Sequence, residues 1–217
     1  MLHLAPAEAA AVDTLVARIE ARTGVQIATA IVRRSDAYTE LPWKAFALGA
    51  SSAGFALVIA DAWNPQWVTS YTSLVQAAVI LLTGASLALA AMFVAPVARA
   101  LLRRNRAQIE VRHYAEALFF RRALFRTRER TAVLILISLF ERRVEIIADA
   151  GLHARVTAAA WEGVVSHMTP HLRDGRPFDA LKKALDAVEA VLVSRGLHAG
   201  PDAADELPNR TIEEGGA

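Results

Sequence analysis

The stretch that decides the fold of this chain is residues 45–98, which read AFALGASSAGFALVIADAWNPQWVTSYTSLVQAAVILLTGASLALAAMFVAPVA. Its only formal charge is Asp61, in an aromatic and proline-bearing turn between two apolar runs. A hydrocarbon core about 30 Å thick needs about 20 apolar residues as a helix. The runs at residues 43–60 and 71–97 therefore predict a transmembrane helical hairpin. A pair of buried core helices in a soluble protein is the alternative.

Basic residues near the two runs predict the orientation of this hairpin. The turn between the runs has no Lys or Arg, whereas the flanks carry Arg33, Arg34, Lys44, Arg99, Arg103, Arg104 and Arg106. Because basic residues favour the cytoplasmic side, we expect both termini in the cytoplasm and two spans in a cell inner membrane. Neither run has a polar stripe, which argues against a small channel.

The same pattern predicts which side chains contact the bilayer surface. Tryptophan favours the headgroup level, and arginine near a span is attracted to anionic lipid headgroups. The expected contacts are Trp43, Lys44, Trp63, Trp67, Arg99, Arg103, Arg104 and Arg106. A nucleic acid is the other partner that an arginine cluster suggests, but the adjacent bilayer explains these arginines, so we expect no nucleic acid.

Composition narrows the function classes. The chain has 217 residues, 54 % of them hydrophobic, and a net charge of only +2. It has no cysteine, which excludes a disulfide framework, cysteine catalysis and cysteine-ligated zinc. The first twenty residues lack a basic segment followed by an apolar core, so we expect no cleavable signal peptide.

The flanks predict a mixed α/β domain. Residues 1–22 have helical apolar spacing, and Gly24 is the expected end of that helix. Residues 25–32, 131–139 and 144–148 are apolar runs of strand length, and the short turn between the last two predicts an antiparallel pair. A basic helix is expected over residues 99–122.

Two further helices are expected near the C-terminus. Thr157 is the expected cap of a helix that carries Trp161 and stops at Pro170, and a last helix follows Asp174 and ends at Gly196. We therefore divide the chain into residues 1–42, the hairpin 43–98, residues 99–198 and a disordered acidic tail, 199–217.

Several segments resemble one known family. They are AVLILISLFERRVEIIADAGL at residues 132–152, the helix with Trp161, the helix start DGRPFDAL at 174–181, and TGVQIATAIV at 23–32. Together they are similar to the TPM domain, over about residues 7–197. The resemblance implies a small α/β/α sandwich, here interrupted by the hairpin. Some members of that family are acid-phosphatase-like or assist photosystem repair, and others have no assigned activity.

The chain departs from the family where its acidic residues usually lie. After the third strand the family has Gly, any residue, Gly, Leu and Glu, followed by an Asp. Gly151 and Leu152 keep that pattern, but Asp149 replaces the first glycine, His153 stands in the Glu position and Ala158 in the Asp position. Phosphoryl transfer needs charges or metals on the transferring oxygens, so these departures argue against inherited hydrolase activity.

The remaining candidates for chemistry are few. Asp149 and His153 form the best acid/base pair by proximity, and we take them as the candidate catalytic residues. His167 and His171 have helical metal-ligand spacing, but Pro170 is expected to break the helix between them and no Glu follows His167. We therefore predict no metal and no cofactor.

These patterns predict an integral membrane protein whose cytoplasm-facing TPM-like domain works as an interaction or assembly module without strong catalytic activity. The alternative is a phosphatase-like hydrolase acting at the membrane surface. The partners expected are the bilayer and an unidentified membrane or cytoplasmic protein.

Overall fold

The computed structural model describes residues 4–65, 69–199 and 211–215. Its helices are α1 (Pro6–Thr23), α2 (Glu40–Trp63), α3 (Ser70–Phe93), α4 (Ala95–Leu101), α5 (Arg104–Arg121), α6 (Ala150–His153), α7 (Ala158–Arg173) and α8 (Pro177–Ser194). Its strands are β1 (Gln26–Val32), β2 (Ala132–Ser138), β3 (Arg143–Ala148) and β4 (Ile212–Glu214). The chain divides into two compact units, the α/β unit (residues 1–36 and 107–217) and the hairpin unit (residues 37–106).

The sheet of the α/β unit has the strand order β3-β2-β1-β4. β1 and β2 pair in parallel over seven positions although the hairpin lies between them in sequence. β3 pairs antiparallel with β2, as the short turn between them predicts. The fold is therefore a mixed α/β domain interrupted by an inserted helical hairpin, as predicted.

Alternate residues of the strands face two helical layers. Ile27, Ile31 and the odd-numbered residues of β2 pack in one core with α1, α7 and α8. Ala28 and Ala30 of β1 and Ala132, Leu134 and Leu136 of β2 pack in a second core with α5. Every residue of β1 and β2 is buried, which explains why neither strand shows alternating hydrophobicity. This is the predicted α/β/α sandwich.

Two glycines end helices where the sequence predicts. Gly24 follows α1 with a φ of 71°, and its N–H donates to the Glu20 carbonyl. Gly196 follows α8 with a φ of 71°, and the next N–H, that of Leu197, donates to the Leu192 carbonyl. Both use the left-handed conformation that glycine adopts at little cost.

Pro170 does not end α7, contrary to the sequence-based expectation. The helix continues to Arg173 with Pro170 inside it. An interior proline costs about 3 kcal/mol because it removes a hydrogen bond and crowds the preceding turn. Buried apolar residues lie on both sides of it, Met168 before and Leu172 after, so packing against the first core offsets that cost. Thr157 is the N-cap residue of α7, as predicted, but its side chain makes no capping bond.

The prediction of a disordered tail is wrong for residues 211–215. Ile212–Glu214 form β4, which pairs in parallel with β1 at the sheet edge. Ile212 packs against the second core, and the Thr211 backbone N–H and hydroxyl both donate to Asp13 at 3.1 Å. The rest of the predicted tail, apart from Ala199, lies outside the described residues.

The hairpin unit contains two helices of equal length. α2 and α3 have 24 residues each, and α3 ends at Phe93 instead of continuing to residue 97. Pro96 explains the interruption at Val94, since its ring would clash with the carbonyl of Met92 in a continuous helix. A second break at residues 102–103 separates α4 from α5, so the basic stretch 99–122 is not one helix.

Glycines lie where α2 and α3 approach each other most closely. A Cβ added at Gly49 would lie 3.0 Å from the Thr83 carbonyl oxygen and 3.1 Å from Gly84 Cα. A Cβ at Gly84 would lie 2.9 Å from the Phe46 ring. Glycine at both positions therefore allows the two helices to approach closely.

Candidate functional site

The outer surface of the hairpin unit is apolar and exposed. α2 and α3 are both long and apolar enough to cross a membrane, and only 11 % of the most apolar window of each is buried. Both helices have large apolar side chains that are exposed, including Phe55, Val58, Leu74, Leu82 and Phe93. Core helices of a soluble protein bury such residues, whereas lipid-facing helices do not.

Two exposed tryptophans lie near opposite ends of α2. Trp43 is in its first turn and 74 % exposed, and Trp63 is its last residue and 88 % exposed. Twenty residues of helix separate them by about 30 Å, which equals the thickness of a hydrocarbon core. The third predicted tryptophan, Trp67, lies outside the described residues.

The predicted basic surface residues lie at the other end of the hairpin from the turn. Arg103, Arg104, Arg106 and Lys44 are exposed, and Arg99 is half-buried. Glu40 pairs with two of them, at 3.2 Å from Arg106 Nε and 3.6 Å from Lys44 Nζ. This carboxylate pairs with basic residues of its own hairpin unit and neutralises part of their positive charge.

Asp61 lies at the turn end of the hairpin. Its carboxylate accepts a hydrogen bond from Gln76 Nε2 at 3.0 Å, and the residue is exposed. The bond links α2 to α3 and gives Asp61 a structural role.

Asp149, one of the two predicted catalytic residues, is buried directly after β3. It is the N-cap residue of α6, and its Oδ1 accepts from the Ala150 backbone N–H at 2.7 Å. Arg130 Nε donates to both carboxylate oxygens, at 2.9 and 3.1 Å, which raises the pKa of this exposed guanidinium. The carboxylate therefore fastens the segment before β2 to the start of α6.

The structure does not bring His153 to this carboxylate. His153 is exposed in the last turn of α6, and the Asp149 oxygens are directed to Arg130 and Ala150. Gly151 lies between them and packs tightly, since an added Cβ would lie 2.4 Å from the Glu129 carbonyl oxygen. The glycine shared with the family pattern is thus explained by close backbone approach.

A polar cluster that the sequence patterns did not predict lies at the carboxyl ends of β1 and β2. Ser35 donates from its backbone N–H to Glu141 Oε1 at 3.0 Å and from its hydroxyl to Ser138 Oγ at 2.9 Å. The Ser138 hydroxyl donates to Glu141 Oε2, and all three residues are buried. Parallel strands end at the same sheet edge, a signal that could have linked Ser35 to Ser138. The cluster fastens the segment after β1 to the β2–β3 turn.

The histidines do not form a metal site within residues 4–65, 69–199 and 211–215, where no three His, Asp or Glu side chains are grouped to hold an ion. His167 and His171 do share the uninterrupted helix α7. His167 Nδ1 lies 2.7 Å from the Gly163 carbonyl oxygen, so this nitrogen is used within the helix.

Comparison with known proteins gives a match to one family model and a structural similarity to one solved protein. The model of the family described as TPM domain matches residues 90–191. The chain is similar in structure to the BA42 protein of the psychrophilic bacterium Bizionia argentinensis, solved by NMR. The TM-score is 0.59 at 13 % sequence identity, over 97 % of this chain and 95 % of that chain. At this identity the likeness shows the fold alone. No curated protein matches the chain.

Proposed function

We propose, on the premise that this chain carries a TPM domain, that it is an integral membrane protein whose α/β unit is an interaction or assembly module. The hairpin spans a cell inner membrane twice, and both termini and the α/β unit lie in the cytoplasm. The domain has no strong catalytic activity and binds a membrane or cytoplasmic protein.

The observation that carries this proposal is the exposed apolar surface of α2 and α3. Leu82 and Phe55 are 67 % and 68 % exposed, in helices whose buried residues are mainly alanine and glycine. Exposed surface of this kind costs about 25 cal/mol per Å² in water, and a bilayer removes that cost. The equal lengths of the helices suit a span of about 30 Å.

Charge supports the orientation. The Asp61 end of the hairpin has no basic residue, and the other end carries Lys44 and the arginines of α4 and α5. Glu40 compensates only part of that charge, so the positive-inside rule still favours cytoplasmic termini. Anionic headgroups are the expected contacts of the exposed arginines.

Cysteine labelling in intact cells tests this topology, because the native chain has no cysteine. The matched variants are Asn64→Cys, at the exposed end of α2, and Ser194→Cys, at the exposed end of α8. We expect an impermeant thiol reagent to label position 64 in intact cells and position 194 only after lysis. Labelling of position 194 in intact cells, or recovery of the protein in the soluble fraction, would exclude the proposal.

The contacts of Asp149 favour a module over an enzyme. A general base needs an accessible lone pair near a substrate, whereas Asp149 caps α6 and is held by Arg130. The second candidate, a phosphatase-like hydrolase using Asp149 and His153, is favoured by the family model, which carries the name TPM phosphatase. We expect purified protein to release no phosphate from a generic phosphomonoester, with or without a divalent metal. Turnover that His153→Ala abolishes would favour the hydrolase.

A further inference from the structure

The C-terminal strand β4 occupies the outer edge of the sheet as a peptide would. It pairs with β1 at only three positions, Ala30, Ile31 and Val32, compared with seven between β1 and β2. One more backbone bond joins the Arg33 N–H to the Glu214 carbonyl at 3.3 Å. So short a ladder supplies little stability, and the side chains of β4 must therefore hold it in place.

Residues 211–213 each make a different contact with the rest of the α/β unit. Thr211 is held by Asp13, and its hydroxyl accepts from the Thr29 hydroxyl at 2.9 Å. Ile212 packs against the second core. Glu213 points to the other face, where its carboxylate accepts from the Leu4 N–H at 3.3 Å.

The Glu214 carboxylate accepts hydrogen bonds from three side chains. Its Oε2 accepts from the Tyr114 hydroxyl and from Arg121, both at 2.7 Å, and its Oε1 accepts from Arg122 at 2.9 Å. The two arginine side chains remain about half exposed. Hydrogen bonding to Tyr114 and the arginines lowers the pKa of Glu214, so the carboxylate is charged at neutral pH. Two cations face one anion, and the cluster keeps an excess positive charge.

We propose that the groove beside β1 is a peptide-binding site, and that β4 occupies it as an internal competitor for an acidic, extended segment of a partner protein. The partner strand adds to β1 in parallel, places an apolar side chain where Ile212 lies and, two residues later, a carboxylate where Glu214 lies. Main-chain bonds supply affinity and these two alternate side chains supply specificity. This inference rests on the proposed role of the domain as an interaction module and names the chemistry of its partner.

The period of the strand explains the required sequence pattern. Successive side chains of a strand point to opposite faces, so residues 212 and 214 share the face that meets α5. On that face the second core accepts an apolar group and the clamp of Tyr114, Arg121 and Arg122 accepts an anion. Because β4 is part of the same chain, it competes at a high effective concentration. A separate peptide therefore binds well only when the contacts that hold β4 in the groove are weakened.

A charge reversal tests the proposal on the full chain in detergent. Glu214→Arg places a third cation beside Arg121 and Arg122 and should release β4 from the groove. The probe is a fluorescent peptide with the chain's own sequence Thr-Ile-Glu-Glu-Gly, and its binding is followed by anisotropy. We expect this variant to bind the probe at least about tenfold more tightly than the wild type, which is the effect of losing one charge-assisted bond.

Controls separate the groove from general electrostatics. Glu162→Arg adds the same charge on the exposed face of α7 and should leave probe affinity unchanged. A probe with Asp in place of Ile, or Gln in place of the second Glu, should bind Glu214→Arg at least about fivefold more weakly. If Glu214→Arg fails to fold, the milder Glu214→Gln should show the same order of affinities, with hydrogen exchange at residues 30–32 reporting release of β4.

The outcomes are distinct. Equal probe affinity in wild type and both Glu214 variants would overturn the inference and leave β4 as a fixed structural strand. A concentration-dependent dimer of Glu214→Arg without probe binding would also overturn it, since a second copy would then be the occupant. Because binding is measured in detergent, a failure of the membrane topology in cells would leave this result intact.

Discussion

Leu134 in β2 is completely buried, whereas Leu82 in α3 is 67 % exposed, although both lie in uncharged apolar runs of the same chain. β2 has helices on both of its faces, and every residue of it is covered by the α/β unit itself. In the hairpin unit, the residues that α2 and α3 bury against each other are mostly small ones. The hydrophobicity of a segment thus indicates how much apolar surface must be removed from water. The tertiary structure determines whether protein or a bilayer covers that surface.

Alanine at these two leucines should give the largest contrast. Leu134→Ala should lower the free energy of unfolding by about 3 kcal/mol, because it leaves a cavity between β2 and α5. Leu82→Ala removes the same atoms from an exposed position and should change it by less than about 0.5 kcal/mol in detergent. Thermal unfolding followed by circular dichroism measures both. Equal losses would mean that Leu82 is covered by protein and would break the comparison.

Glycine substitutions should give an intermediate effect within the α/β unit. Gly151→Ala should destabilise it by about 2 kcal/mol, since the new Cβ would meet the Glu129 and Arg130 carbonyl oxygens at 2.4 and 2.7 Å. Gly163→Ala is the matched control, because nothing lies within 4 Å of its added Cβ. That change should stabilise α7 by about 0.5 kcal/mol. A neutral Gly151→Ala would show that the backbone of α6 can move away.

The smallest expected effect on the free energy of unfolding comes from replacing the Glu145 carboxylate. Burial raises the pKa of Glu145, and Glu116 raises it further, while Arg112 and Arg143 oppose the shift. Since the raised pKa belongs to the folded state, ionisation of Glu145 disfavours folding, and this penalty grows as the pH rises through that pKa. Glu145→Gln should therefore stabilise the α/β unit at pH 7 by less than about 1 kcal/mol and have no effect well below the ordinary pKa of a glutamate.

The substitution Asp61→Asn provides the comparison for Glu145→Gln, and the melting temperature is measured for both variants. Asp61 is exposed at the turn end of the hairpin and bonded to Gln76. Asp61→Asn keeps an acceptor for Gln76 and should leave the melting temperature at pH 7 unchanged. A gain in melting temperature at Asp61 equal to that at Glu145 would contradict the exposed position of Asp61.

Much of the fold could be predicted because local chemistry determines it. Gly24 and Gly196 end their helices through their backbone freedom, and charged residues on both sides limit the length of the uncharged run at residues 131–139. The break at Val94 also has a local cause, Pro96, although the apolar pattern continues across it to residue 97. In α7 the proline rule fails, because burial of Leu172 outweighs the local preference.

The candidate site could be predicted less well. Asp149 and His153 are four positions apart, and spacing alone does not reveal that Arg130, from a distant segment, pairs with the carboxylate. The Ser35, Ser138 and Glu141 cluster and the contacts of Glu214 join segments about a hundred residues apart. Such contacts exist only once the strands are in register.

The sequence by itself determined the two apolar helices, the three strands β1 to β3 and the resemblance to the TPM domain, because periodicity, uncharged length and helix-ending glycines act over a few residues. Only the tertiary structure decided that Asp149 is the N-cap residue of α6, that α7 continues through Pro170 and that β4 forms an edge strand of the sheet. Each of these depends on burial by, or pairing with, residues far away in the chain. A local sequence pattern does not specify those long-range contacts.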